Sequence, residues 1–169
     1  MSSIIDETFI KINAVLSALV KLGEPSLGIW ATDYLKRSLV LLAASYFECQ
    51  TRAILESYVK THSGTDIAAA FLLKSMDKQY HTYFDWENRS ANKFFSLFGI
   101  AFKKEVLDDI KRDARLEEGI SAFLEIGDTR NKLVHEGIVG LALNPSHDDF
   151  YSLYKRALYF LDYLKTKFN

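Results

Sequence analysis

Cysteine is almost missing from this chain of 169 residues. Cys49 is the only one, which excludes an intramolecular disulfide framework and any cysteine-rich zinc site. Its apolar neighbours predict a buried, inert thiol, and a single free thiol fits a reducing compartment, so a cytoplasmic location is expected. Glycine (8) and proline (2) are also scarce. So few breakers over this length favour long helices over a many-turned β fold. Apolar runs such as Leu39–Ser45 fall far short of the ~20 residues that cross a bilayer, so no membrane contact is expected. Met1–Glu7 carries no basic segment ahead of an apolar stretch, so no signal peptide is expected either. Charge is balanced, with 21 Lys+Arg against 22 Asp+Glu and a net charge of −1. That is not the basic field with which proteins hold nucleic acid by bulk electrostatics, so any RNA contact must use a local patch or depend on assembly. A P-loop, a dinucleotide fingerprint and a zinc-protease motif are all lacking, and no metal or cofactor is expected.

What is plentiful is apolar material. The chain is 49% hydrophobic and 14% aromatic, with 12 Phe and 9 Tyr, which is enough for a core without staples. The expected fold is all-α, a single domain over residues 1–169 built as a helical bundle with a long central helix and several short ones.

Helical periodicity locates the elements. Ser3 reads as an N-cap with acidic Asp6 in the first turn. Ile5, Phe9, Ile12, Leu16 and Leu19 follow at helical spacing, until Gly23 and Pro25 end the helix. A long helix from about Thr32 to about Thr61 presents Leu35, Leu39, Leu42, Tyr46, Cys49 and Ala53 as one face and forms the spine, stopped by His62-Ser63-Gly64. Asp66–Ser75 is a short helix. Met76–Asn88, with Tyr80, His81, Tyr83, Phe84 and Trp86, reads as a structured loop whose rings either pack in the core or a dimer interface or stack RNA bases. Ser90–Phe98 and Phe102–Arg112 are short helices flanking Gly99. The next helix spans about Arg115 to His135, ends at Gly137, and turns Leu116, Ile120, Phe123 and Gly127 inward, Gly127 admitting a neighbouring helix closely. After the apolar connector Ile138–Leu143, Asn144 caps the last helix, with Pro145 in its first turn and Asp148 and Asp149 behind. Its stripe is Phe150, Tyr154, Ala157, Leu161, Leu164 and Phe168.

One pair of residues points to chemistry: Arg130 and, five positions later, His135. On a helix they stand about 140° apart and roughly 7 to 8 Å along the axis, so they do not touch automatically. Arginine is long, however, and the helix is ending, so both can converge on one phosphate-sized object. Guanidinium holds phosphate and stabilises charge developing on its oxygens, and imidazole takes or gives a proton near neutral pH. Together they can drive metal-free RNA cleavage, in which the 2′-hydroxyl attacks the adjacent phosphate and leaves a 2′,3′-cyclic phosphate. One histidine fills one role at a time, and His62, His81 and His147 have no arginine at this spacing. A symmetric dimer with facing motifs would supply a second imidazole. Asn131 shares a face with His135, and Asp128 lies one turn earlier on that stripe. The plain alternative leaves Arg130 in a surface ion pair and His135 as a helix C-terminal cap.

The stretch Gly127-Asp128-Thr129-Arg130-Asn131-Lys132-Leu133-Val134-His135-Glu136-Gly137 resembles the signature of HEPN domains, in particular their RiboL-PSP-like branch. That signature is Arg, four to six residues, then His, often with a polar residue directly after the Arg. The run Leu39–Glu48 resembles the family's long helix with its acidic residue, and Asn92–Ile100 its short mid-domain helix. The resemblance covers about Trp30 to Leu164. It implies an α-helical bundle, a homodimer with facing motifs, and metal-independent ribonuclease activity, often in phage defence or toxin systems with a protein partner or antitoxin. It implies catalytic roles for Arg130 and His135, with Asn131 assisting. Where HEPN toxins controlled by nucleotidyl transferases carry a tyrosine two residues after the His, this chain has Gly137, so control by that modification is not expected. Some HEPN domains are inactive, so a non-catalytic dimerisation module, binding RNA or a protein partner, is the alternative.

Supporting candidates complete the set. Glu48 and Arg52, four apart, form either a helix-surface ion pair or, as the resemblance implies for Glu48, a group facing the motif helix. Asp128 is a further supporting residue, and Arg52 and Lys132 are candidate substrate-binding cations. Lys103, Lys104, Lys111, Arg112 and Arg115, interleaved with Glu105, Asp108 and Asp109, read as a solvated face rather than a phosphate track. His147-Asp148-Asp149 reads as an acidic first helical turn rather than a metal site.

Overall fold

The computed structural model describes residues 3–136 and 141–169. The expected glycine stop at Gly137 and the first half of the connector Ile138–Leu143 lie outside the described residues. Among the described residues the protein is all-α, and the order of elements runs α1 (Ile4–Lys21), α2 (Pro25–His62), α3 (Asp66–Met76), α4 (Tyr80–Tyr83), α5 (Asn92–Ser96), α6 (Ile100–Arg112), α7 (Ala114–His135) and α8 (His147–Lys167). No helix among them is long and apolar enough to cross a membrane.

Local chemistry sets the boundaries. Ser3 and Asp6 close a reciprocal capping box on α1. The spine α2 is 38 residues long, near 57 Å at the standard rise, and starts seven residues earlier than expected. Pro25, read above as the end of the first helix, instead opens the second at a first-turn position, where its missing N–H costs nothing. The cap of α8 differs as well. Ser146, not Asn144, accepts the Asp149 N–H at 3.1 Å, while the Asp149 carboxylate accepts the Ser146 N–H at 2.8 Å. Pro145 therefore precedes the cap, and Asp149 is spent on capping.

The buried face of α2 also departs from expectation. Val40, Ala43, Ala44, Phe47, Thr51 and Leu55 are buried, Leu42 and Tyr46 are half-buried, and Cys49 and Ala53 are exposed. Residues 39–44 are apolar without a break, so periodicity leaves the phase of the face open. The face with small Ala43 and Ala44 lets neighbours come close and wins. The thiol of Cys49 is turned outward as a result.

Helices α7 and α8 pack along their length, and both lie against α2. The close approach occurs at Gly119, where a β-carbon would stand 3.1 Å from the Arg156 carbonyl oxygen and 3.2 Å from the Phe160 nitrogen. Gly127, expected to admit a helix, faces the ring of Trp86 instead. Phe123 of α7 is the hub of the core, with ring centroids 5.3 Å from Phe47, 5.2 Å from Phe160 and 5.1 Å from Phe84. Tyrosine hydroxyls of α8 pin its outer side. Tyr154 donates to Ser3 Oγ at 2.8 Å, Tyr151 to Asp6 at 2.8 Å, Tyr159 to Asp113 at 2.6 Å and Tyr163 to Asp109 at 2.9 Å. The basic stretch of α6 is a solvated face, as expected. Lys111 pairs with Asp108, and Glu105 and Asp109 hold Lys167.

The segment between α3 and α5 is a compact, aromatic structure folded onto α7. It holds the one-turn helix α4 and a tight turn in which Asp85 and Ser90 exchange backbone hydrogen bonds at 3.0 and 2.9 Å. Tyr83 and Phe84 are buried, and Phe84 stacks on Phe94 at 4.8 Å. Core packing is thus the main use of these rings.

Candidate functional site

Helix α2, the C-terminal part of α7 and the α4 segment together line one concave surface. The result is a cleft of about 600 Å³. Glu48 and Arg52 line it from α2, Lys78, Tyr80, His81 and Trp86 from the α4 segment, and Gly127, Arg130, Asn131, Val134 and His135 from α7. The expected trio of Arg130, Asn131 and His135 therefore opens onto one concave surface. Arg130 and His135 both line that surface, and α7 ends at His135.

Within the trio, Arg130 Nη1 donates to Asn131 Oδ1 at 3.0 Å. The amide holds one edge of the guanidinium and leaves its other donors for a ligand. Glu48 and Arg52 both reach the cleft, but not as a pair with each other. Arg52 lies 3.8 Å from Glu56 instead. Burial pushes the phenol of Tyr80 far above its usual range, the Glu48 carboxylate adds to that, and Arg130 opposes it. Glu48 and Arg130 thus sit within electrostatic reach of the same hydroxyl, which remains a neutral donor at any physiological pH.

Two expected site residues are not brought to the cleft. Asp128 is buried and accepts from Arg89 Nη2 at 3.1 Å and from Lys132 Nζ at 3.0 Å. Lys132 is therefore tied to Asp128 rather than presented among the cleft cations. The reason is the face of the helix: Gly127, Arg130, Asn131, Val134 and His135 share the side of α7 that lines the cleft, and Asp128 and Lys132 each follow one of these by one residue, about 100° round the helix. On that neighbouring side the Asp85–Ser90 turn brings Arg89 onto the Asp128 carboxylate. Asp128 fastens that turn to α7.

Two cleft residues escape the sequence reading as site residues. Lys78 holds a left-handed backbone conformation, φ 58°, uncommon for a non-glycine residue, and turns the chain out of α3 into α4. His81 has no arginine at the signature spacing, so spacing cannot find it. Its only signal is membership of an aromatic segment that had to fold onto something apolar. The two other histidines are engaged elsewhere. His62 stacks on Tyr58 with centroids 4.4 Å apart, and His147 Nε2 lies 3.0 Å from Asn13 Oδ1.

Three cations, one carboxylate and two imidazoles in one cleft suit a phosphodiester: positive charge for the phosphate, imidazole for its proton transfers. Among the described residues, no three or more His, Cys, Asp or Glu are grouped to hold a metal ion.

A protein-family model described as RiboL-PSP-HEPN matches residues 7–169 of the chain. No curated protein and no solved structure matches it.

Proposed function

Because the chain belongs to the RiboL-PSP-HEPN family of the HEPN superfamily, we propose that it is a metal-independent endoribonuclease acting through Arg130, Asn131 and His135. The observation that carries this reading is the convergence of these three side chains on one cleft with Arg52 and Lys78. Arg130, held by Asn131, grips the scissile phosphate and stabilises charge building on its non-bridging oxygens. His135 transfers a proton. The 2′-oxygen attacks phosphorus, the bond to the 5′-oxygen breaks, and the products are a 2′,3′-cyclic phosphate and a free 5′-hydroxyl. The protein works as a homodimer with facing motifs, which concentrates positive charge that a chain of net charge −1 lacks. Its setting is a defence or toxin-type system.

Incubation of the purified protein with mixed RNA in excess chelator tests this. Wild type should cut, and Arg130→Ala and His135→Ala should cut far more slowly, with circular dichroism unchanged. Light scattering should give a dimer, and growth arrest on expression should be relieved by His135→Ala. Wild-type protein that binds RNA or a protein partner but never cleaves would leave a non-catalytic module in place of the enzyme.

A further inference from the structure

Cleavage of this kind needs a base for the 2′-hydroxyl and an acid for the departing 5′-oxygen, and one imidazole cannot be both in the same step. The cleft of a single chain already contains two. We propose that His81 is the second proton-transfer residue of the reaction, so that each chain carries its own acid–base pair, His135 from α7 and His81 from α4. This rests on the ribonuclease reading above and adds to it a residue outside the Arg130–His135 signature.

The placement of His81 is built rather than incidental. Its backbone carbonyl accepts the Trp86 indole N–H at 2.9 Å. The Trp86 ring in turn lies on α7 in the space left by Gly127, one turn ahead of Arg130 and Asn131. A single side chain thus ties the backbone of His81 to the helix that carries the motif. Arg89 adds a second fastening of the same segment, through Asp128 and Glu125. Backbone anchoring leaves the imidazole free: His81 is exposed, lines the cleft and makes no side-chain hydrogen bond among those found in the described residues. By contrast His62 and His147 have ring nitrogens near their own partners. The cleft that both histidines line is also large enough for the task, since its volume of about 600 Å³ accommodates a phosphodiester with parts of two flanking nucleosides.

The proton inventory closes. One imidazole enters neutral and takes the 2′-hydroxyl proton as that oxygen bonds to phosphorus. The other enters protonated and gives its proton to the 5′-oxygen as the P–O5′ bond breaks. Water then exchanges the protons and restores both rings. Dimerisation on this scheme adds charge and binding surface and is not the source of the missing proton donor.

The experiment uses the full chain and two probes: a mixed-sequence oligoribonucleotide, and the same RNA with sulfur replacing the bridging 5′-oxygen at defined steps. His81→Ala should lower kcat by about 10² to 10⁴-fold with KM little changed, and should erase one limb of a bell-shaped pH profile, His135→Ala erasing the other. A sulfur leaving group needs no general acid, so it should restore one of the two variants and not the other. His62→Ala, whose ring is committed to Tyr58, should cut like wild type. His81→Ala retaining the wild-type rate and both limbs overturns the assignment of His81 while the ribonuclease reading stands. A wild-type protein that cuts no RNA overturns both. His81→Asn guards against a folding artefact: a variant with wild-type melting and no limb lost also overturns the assignment.

Discussion

The ring of Trp86 fills the space where Gly127 lacks a side chain: a β-carbon on Gly127 would overlap ring atoms Cζ3 and Cε3. In an open helix, Gly→Ala gains about 1 kcal/mol from propensity. Here the added methyl must expel the indole from α7, and overpacking of this kind costs about 1–3 kcal/mol. Gly127→Ala should therefore lower the melting temperature by several degrees, shift tryptophan emission to the red and reduce RNA cleavage, because the α4 segment moves with the ring. A variant as stable and as active as wild type would show that Trp86 does not position that segment.

Arg130 and Asn131 form a unit, joined by the 3.0 Å hydrogen bond between Nη1 and Oδ1. Loss of the phosphate-holding guanidinium in Arg130→Ala should cost about 10²–10³-fold in kcat. Asn131→Ala should cost about 10-fold, since the guanidinium survives but loses its orientation. If Asn131 works through Arg130, the double variant should be no worse than Arg130→Ala alone. Multiplicative losses would mean that Asn131 touches the substrate on its own account.

How far the sequence reveals this molecule depends on where each signal resides. The α7 and α8 helices are legible because their apolar residues repeat on one stripe, so Phe123 and the stripe from Phe150 to Phe168 are buried as expected, although the cap of α8 falls on Ser146 rather than Asn144. The face of α2 is not, because residues 39–44 are apolar on all sides and only the partners decide which side is covered. Gly127 alone is expected to admit a neighbouring helix, but a glycine in a sequence does not say what enters the space it leaves. Gly119 meets α8, and Gly127 meets an indole. The same limit holds at the cleft. Arg130, Asn131 and His135 are neighbours in sequence and could be read together. His81 and Lys78 reach the cleft only because the α3–α5 segment folds back, a long-range event with no local pattern. Asp128 and Lys132 lie on the motif helix but satisfy each other and Arg89.

Gly119→Ala isolates the helix-packing role from the site. Its β-carbon would press on backbone atoms of Arg156 and Phe160, which cannot swing away as a side chain can. The helices must separate slightly, so stability should fall by about 1–3 kcal/mol, or roughly 2–4 °C of melting temperature per kcal/mol in a chain of this size. The cleft lies two turns further along α7, so the pH profile of cleavage should keep both limbs. A stabilised Gly119→Ala protein would show that α7 and α8 can part at no cost.

Cys49 offers a direct check on the orientation of α2. Facing the core it would resist thiol reagents until the protein unfolds. Turned outward, as the structure has it, it should react with a disulfide reagent stoichiometrically in native buffer. Protection that appears only as the protein concentration rises would place Cys49 near a dimer interface. Protection at all concentrations would contradict the observed face of α2.

The junction of α1 with α8 should be the acid-sensitive part of the fold. The Ser3 N–H holds the Asp6 carboxyl down, from an ordinary 3.8 to about 2, with the Tyr151 hydroxyl, Ser3 Oγ and Lys155 adding to the effect. The folded state thus binds this proton less readily than the unfolded state does. The sign follows from linkage: the contribution is complete above the unfolded value of 3.8 and is lost as pH falls toward about 2. The capping carboxylates Asp113 and Asp149 are also held below the ordinary carboxylate value, so the useful quantity is the difference between wild type and Asp6→Asn. That difference in melting temperature should be largest above pH 4, favouring wild type, and should shrink steadily as acid is added. A gap that stays constant down to the lowest pH at which both proteins fold would mean that the charge on Asp6 contributes nothing, and that α1 is held to α8 by the Phe9–Tyr151 ring stack and the contacts of Tyr154 with Ser3 and His147 with Asn13.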